Sequence, residues 1–333
     1  MSVAGTIAPR GSRQRMVIQR MSKPVFRAIR RLERRVMAGD LSYGEHGKLK
    51  RSWAKIPQDV LADYLVVGYQ NPHINAQSIL ARHFLVQKLF GSEFDALMRE
   101  ELEFCVETNA AIRKRAAELG VTMGQFTAPE KRAAVAEVCK VIADREDSFE
   151  KRWAKALAGR DAEPLRVLEF ACGSANDYRY FDSYGIGSYL EYTGLDLNDD
   201  NIANARKRFP GVGFEVGSIL DLPYDDNSMD YVLAFDIFEH LSIEAMEQAM
   251  SEAMRVARKG IVVAFFIMVD IPEHNVRPKD TYHWNELSAT QIRELVAPNF
   301  PSIRLEHIPT FLKQEYGAQH SYNKKAWTLI AER

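Results

Sequence analysis

Between Trp53 and Gly159 apolar residues recur every three or four positions, the spacing of one face of an α-helix. One stripe starts near Asn75 and runs through Ile79, Leu80, Phe84, Val86 and Leu89 to Gly91. A second holds Phe94, Leu97, Met98, Leu102, Cys105 and Val106, with Ser92 and Asp95 at capping-box spacing before it and Gly120 after it. A third carries Val135, Val138, Val141, Ile142, Phe149, Trp153 and Leu157, entered through Thr127 and Glu130 with Pro129 in the first turn. Stripes of this kind are packing faces.

After the polar linker GRDAEP (159–164) the period changes. Short apolar runs at 165–170, 192–197, 212–216, 231–235 and 261–268 predict strands. Helix-period segments alternate with them: 178–184, 201–209 ahead of Pro210, a helix capped by Ser242 and ended by Gly260, and one capped by Ser288 that ends at Val296. Two further strands, 303–308 and 326–330, read as a closing hairpin. The alternation predicts a mostly parallel α/β sheet with right-handed crossovers, preceded by an all-α region. The expected divisions are an N-terminal arm at 1–52, a helical lid or dimerisation domain at 53–160 and an α/β domain at 161–333.

Charge adds one detail. The chain of 333 residues carries 44 basic and 45 acidic side chains, so no global field points to nucleic acid or membrane. The arm is nonetheless basic, with Arg10, Arg13, Arg15, Arg20, Lys23, Arg27, Arg30, Arg31, Arg34 and Arg35. It reads as a disordered basic tail that loosely resembles a transit peptide. Cys105, Cys139 and Cys172 form no CxxC pair, which favours a reducing, cytoplasmic compartment. The longest apolar run is far short of the ~20 residues that span a bilayer, and no secretory signal is expected.

The chemistry centres on VLEFACGSANDY (167–178). In an open α/β sheet the ligand lies off the carboxyl ends of the strands. A dinucleotide site there needs glycines, so that backbone can approach a pyrophosphate. Here Ala171 and Ala175 stand at two of the three glycine positions, and Glu169 precedes the turn. A carboxylate repels a pyrophosphate and attracts an ammonium group, which argues against a nicotinamide enzyme. Asp196 ends the second strand at the usual offset for a carboxylate that binds ribose hydroxyls. S-adenosylmethionine fits such a site, since it has a ribose, an α-amino group and a sulfonium, and no phosphate.

The blocks VLEFACGSA, YTGLDLN, VGSILDLPYDDNSMDYVLAFDIFEHL and AWTLIAER resemble, in order, the motifs of class I S-adenosylmethionine-dependent methyltransferases, over roughly residues 165–333. The resemblance implies a Rossmann-like seven-stranded sheet, S-adenosylmethionine as cofactor and S-adenosylhomocysteine as product. It places Ala171, Cys172, Gly173 and Ser174 against the methionine part, with Glu169 near its amino group. It puts Asp196 on the ribose, Leu197 against the adenine, Ser218 and Ile219 at the adenine edge, and Phe235 and Asp236 on the methyl-transfer side. Many members have an acid where this chain has Ser218, which leaves the adenine amino contact to a hydroxyl, to backbone or to Asp221.

Direct transfer needs a positioned nucleophile and a group to take its proton. DIFEHL supplies Asp236, Glu239 and His240; TYHWNEL supplies Tyr282, His283, Trp284 and Glu286. His240, His283 and Asp236 are the candidate catalytic groups. Tyr282, His283 and Trp284, with His320 and Tyr322 between the last strands, are candidate acceptor contacts. The spacing of Asp236, Glu239 and His240 is no recognised metal cage, and no metal is expected. The expected reaction is methylation of an oxygen or nitrogen of a small metabolite or natural product, in a chain that dimerises through its helical region. The competing readings are an RNA methyltransferase using the basic arm, against which no nucleic-acid motif is present, and a non-catalytic scaffold.

Overall fold

The computed structural model describes residues 71, 74–122, 125, 128–143, 149–279 and 282–333. The basic arm at 1–52 and the capping residue Thr127 lie outside them. The described residues belong to one compact unit, Asp59–Arg333.

Seven strands form the main sheet: β1 Leu165–Phe170, β2 Leu190–Asp196, β3 Gly213–Val216, β4 Met229–Phe235, β5 Ala257–Phe265, β6 Ser302–His307 and β7 Trp327–Glu332. Their spatial order is β6-β7-β5-β4-β1-β2-β3. The pairs β1/β2, β1/β4, β2/β3 and β4/β5 are parallel, whereas β7 runs antiparallel to both neighbours. Strand order reverses between β1 and β4, and a ligand crevice opens above such a reversal. β1 and β4 are buried on both faces, so LEF and LAF read as continuous apolar runs with one acid, rather than as alternation.

Helices α1 Ala76–Phe90, α2 Asp95–Glu118, α3 Arg132–Ala143 and α4 Phe149–Leu157 precede the sheet. Asn75 caps α1 by accepting from the amides of Gln77 and Ser78. Ser92 does not cap α2. The amide of Asp95 bonds its carbonyl at 3.2 Å in a tight turn after Gly91, and the helix starts beyond it at Phe94 without a side-chain cap. From Ala76 to Val86 α1 is buried on every side. Ala81, Phe84 and Leu85 share a core with Val167, Leu233 and Val262 of the sheet, while Ile79 and Leu80 pack with Leu102, Ile308 and Leu312. Gln77 Nε2 donates to the carbonyls of Phe265 (3.1 Å) and Trp327 (2.7 Å), locking α1 across β5 and β7. α1, the start of α2 and α4 thus share a core with the sheet, whereas α3 packs with the end of α2 in a cluster of its own.

A buried ion cluster fixes these helices to one another. Glu101 accepts from Arg82 at 2.8 Å, His83 at 2.7 Å and Trp153 Nε1 at 2.7 Å. Burial opposes its ionisation, but Arg82 and the hydrogen bonds hold its carboxyl down at about 2. The Arg82 guanidinium lies 4.0 Å over the ring of Tyr184, at the end of α5 Tyr178–Ser183.

α6 Asp199–Arg208, α7 Ile243–Val256 and α8 Ala289–Val296 complete the layers. Ser242 and Ser288 cap α7 and α8 through bonds from Ala245 and Gln291, as their spacing predicts. The opposite face of the sheet buries Met246, Met250, Ile292 and Phe300 against Leu168, Val232 and Val263. The last two strands pair antiparallel, but not as a tight hairpin. Helix α9 Ile308–Tyr316 intervenes, and Gly317 ends it in the left-handed region at φ 66°. Among the described residues no helix is long and apolar enough to cross a membrane.

Candidate active site

The turn after β1 takes left-handed backbone at alternate positions: Ala171 (φ 52°), Gly173 (φ 57°) and Ala175 (φ 63°). The alanines therefore hold the conformation that glycine adopts without strain, at about 1–2 kcal/mol each. Three bonds tie the turn down. Cys172 N reaches Leu195 O at 3.0 Å, Ala175 N reaches Cys172 O at 3.0 Å, and Gly173 N reaches Asp196 Oδ2 at 3.0 Å. Gly194 on β2 lies so close that a Cβ there would fall 2.8 Å from Cys172 Sγ. Cys172 itself is buried, and burial with the acids around it pushes its thiol far up, away from nucleophile chemistry.

Glu169 is 1% exposed, and Tyr192 Oη donates to its Oε2 at 2.7 Å. Burial first, then the nearby carboxyl of Asp177, pushes Glu169 well above the usual carboxylate range. Desolvation likewise pushes Asp177 up to about 6, although Arg179 and the distant Arg82 oppose this. Asp196 is 9% exposed and accepts from Gly173 N, from Asn198 N at 2.7 Å and from Asn201 Nδ2 at 3.3 Å. Burial still raises it, since those bonds compensate only in part. Beside it Leu197 is 78% exposed, although apolar and next to a buried acid. Ser218 Oγ accepts from Leu220 N at 3.2 Å, and its backbone bridges to Asp221. Ile219 is half-buried against the second core.

Asp236, just past β4, is also left-handed (φ 50°), and its amide bonds Ala264 O at 3.0 Å. Burial, then Glu239, then Asp177 raise its carboxyl well above the usual range. Glu239 is fully buried and pushed up to about 7, chiefly by desolvation, although Phe266 N donates to its Oε1 at 2.8 Å. The backbone joins DIFEHL to TYHWNEL: Asn285 N donates to Glu239 O at 3.0 Å, and Asn285 Nδ2 to Leu241 O at 2.9 Å. His240 Nδ1 lies 3.2 Å from His283 O. A carbonyl only accepts, so Nδ1 carries the proton. The His240 ring lies 5.0 Å from Trp284 and 6.0 Å from Tyr282, and Lys279 Nζ sits 5.5 Å from the Trp284 ring centre.

Residues 168–265 match the family described as methyltransferase domain. The chain carries a class I S-adenosylmethionine-dependent methyltransferase domain. S-adenosylmethionine is the cofactor of this domain. The chain is 31% identical over 158 residues to a probable S-adenosylmethionine-dependent methyltransferase of Mycolicibacterium smegmatis, covering 46% of this chain and 56% of that protein. It is 33% identical over 143 residues to a phthiotriol/phenolphthiotriol dimycocerosates methyltransferase of Mycobacterium tuberculosis, covering 39% and 45%. It is 32% identical over 160 residues to a fatty-acid O-methyltransferase of M. smegmatis, covering 44% and 52%. The chain thus spans about half the length of the curated relatives it matches.

Within the methyltransferase domain the sequence-derived residues fall into three places. Glu169, Ala171, Cys172, Gly173, Ser174, Asp196 and Leu197 gather around the β1 and β2 exits. Asp236, His240, Tyr282, His283 and Trp284 gather past β4. His320 is exposed on the loop after α9, and Tyr322 lines a narrow cavity with Ile74, Asn109, Leu312 and Phe266. Asp177, Tyr192 and Asn285 went unread. Asp177 and Tyr192 lie inside quoted motifs, but only the pairing of β1 with β2 shows that they converge on Glu169. Also unread was a cleft of about 440 Å³ bounded by Met268, Asp270, Glu306, Phe311, Lys324 and Trp327. Among the described residues no group of three acids, histidines or cysteines gathers as a metal site.

Proposed function

We propose that the chain transfers the methyl group of S-adenosylmethionine to an oxygen or nitrogen of a small, lipid-like acceptor. The observation that carries this reading is a set of acids at the carboxyl ends of β1, β2 and β4, with Glu169 1% and Asp196 9% exposed, and with Glu169, Asp177, Asp196 and Asp236 each raised by burial. Such a set is stabilised by a bound cation and destabilised by a phosphate. In this reading Glu169 holds the ammonium group of the cofactor, Asp196 the ribose hydroxyls and Leu197 the adenine face. Ser218 and Ile219 border the adenine edge. Bound there, the cofactor supplies an electrophilic methyl group on sulfur.

The chain's own residues then position the acceptor and take its proton. Asp236 and the wall of His240, Tyr282, His283 and Trp284 stand beside the methyl-transfer side. The cleft past β5, lined by Met268, Leu305, Phe311 and Trp327 together with Asp270, Glu306 and Lys324, has a volume suited to a small acceptor with apolar and polar parts. Two relatives named for long-chain lipids support this choice of class. The test is calorimetric titration of the full chain with S-adenosylhomocysteine, followed by methyl-labelled turnover on lipid extracts. No heat at millimolar ligand refutes the reading.

A further inference from the structure

Two buried carboxyl oxygens stand out in the acceptor half. Asp236 Oδ1 and Glu239 Oε2 are enclosed and accept no hydrogen bond. A buried acceptor left unmade costs free energy, and such atoms commonly mark a place where a ligand completes the bonding. They are not interchangeable. Glu239 is anchored: Oε1 takes the amide of Phe266 at 2.8 Å, and its own carbonyl takes the amide of Asn285 at 3.0 Å. Asp236 is held by backbone alone, in a left-handed conformation uncommon outside glycine, though aspartate visits it more readily than most residues. Such strain persists only where surrounding structure imposes it. The Asp236 carboxyl interacts electrostatically with Glu239 of the acceptor wall and with Asp177 of the cofactor turn. His240 is oriented by the bond from its Nδ1 to His283 O and by packing with Trp284, which leaves Nε2 as its proton-accepting nitrogen and makes it the competing candidate.

We propose that Asp236 is the proton acceptor of the transfer, with Glu239 as its positioning residue, and that the acceptor is a neutral group bearing an O–H or N–H proton rather than a carboxylate. The inference rests on the methyltransferase reading above. In the step, the acceptor heteroatom forms its bond to the methyl carbon as the carbon–sulfur bond breaks. Sulfur keeps that electron pair, and the acceptor proton passes to Asp236 Oδ1, which must enter the step as its carboxylate, the form a neighbouring sulfonium would favour against burial. A carboxylate acceptor has no proton to give and would face two acids, while Lys279 of this wall lies against the Trp284 ring. The two lipid classes named among the relatives divide along this line, one offering hydroxyls and the other a carboxylate.

The test uses the full chain saturated with S-adenosylhomocysteine and a matched probe pair, 2-naphthol and 2-naphthoate, at neutral pH. Calorimetric binding should favour 2-naphthol by more than about 10-fold, because a carboxylate enclosed beside buried acids loses its hydration without a compensating partner. Asp236→Asn should reduce that preference, and Glu239→Gln should reduce it less, since a glutamine oxygen still accepts from Phe266. With labelled cofactor, the wild-type product should be alkali-stable methyl ether, and Asp236→Asn should lower kcat about 10²- to 10⁴-fold with little change in KM. Equal affinity, preference for the naphthoate, or binding of neither probe overturns the proposal. Alkali-labile methyl ester as the main product does the same. Failure to bind S-adenosylhomocysteine instead overturns the methyltransferase reading itself, and the proposal with it.

Discussion

Replacing Glu169 by glutamine separates two effects that usually travel together. The side chain is 1% exposed, accepts from Tyr192 at 2.7 Å and lies within reach of Asp177 and Asp196. A glutamine oxygen preserves the tyrosine bond and deletes a charge that burial disfavours. Without cofactor, Glu169→Gln should therefore be stabilised by about 1–3 kcal/mol at neutral pH, the scale of a relieved buried charge. For a domain of this size that is a rise in Tm of roughly 2–10 °C. The sign of the pH dependence follows from linkage. A carboxyl raised in the folded state keeps its proton there after the unfolded chain has lost its own, so stability falls as pH rises between the two values. The wild type should show this fall, and the variant should show less of it. Cofactor affinity should move the other way. Losing a charge-assisted bond to an ammonium group, about 1.5–3 kcal/mol, weakens binding roughly 10- to 150-fold. Calorimetry with S-adenosylmethionine and scanning calorimetry at two pH values measure both. A variant that is less stable, or that binds the cofactor as well as wild type, refutes the reasoning.

Asp196→Ala should abolish measurable S-adenosylhomocysteine binding and cost about 1–3 kcal/mol in denaturant unfolding, since three donors lose their acceptor. His240→Ala should leave S-adenosylhomocysteine affinity unchanged and lower turnover by less than about 10-fold by loosening the 282–285 loop; a loss in the range of a deleted general base, about 10²-fold or more, would assign the proton to this histidine instead. Ala171→Gly should raise unfolding free energy by roughly 0.5–1 kcal/mol, left-handed strain relieved less the added freedom of the unfolded chain.

Sequence periodicity located the sheet because β1, β4 and β5 are short apolar runs bounded by turns, and it located α7 and α8 because a serine caps each. α9 escaped because IPTFLKQEY is short and its apolar residues serve a satellite core rather than the main one. α1 was read as a one-sided stripe, yet its polar residues Gln77, Arg82 and His83 are buried as well, each with a fixed partner that only tertiary structure supplies. The acids at strand ends were legible because position relative to a strand carries chemistry. Their mutual repulsion was not: Asp177 and Glu169 are eight positions apart along the chain and meet only once the turn coils. Likewise the left-handed backbone at Asp236 is only weakly signalled by an aspartate, and Asn285 looks like any loop asparagine until its bonds to both sides are seen.

The clamp from Gln77 to the carbonyl of Trp327 joins positions 250 residues apart. During synthesis at about 5–20 residues per second, the first of these emerges roughly 10–50 s before the second. Through that interval α1 has made neither its bond to β7 nor its contacts with Ile308 and Leu312, so an apolar helix waits without its partners. The nascent chain is therefore at its stickiest for most of its time on the ribosome. Premature stops anywhere before β7 should yield insoluble or degraded product rather than a shortened enzyme.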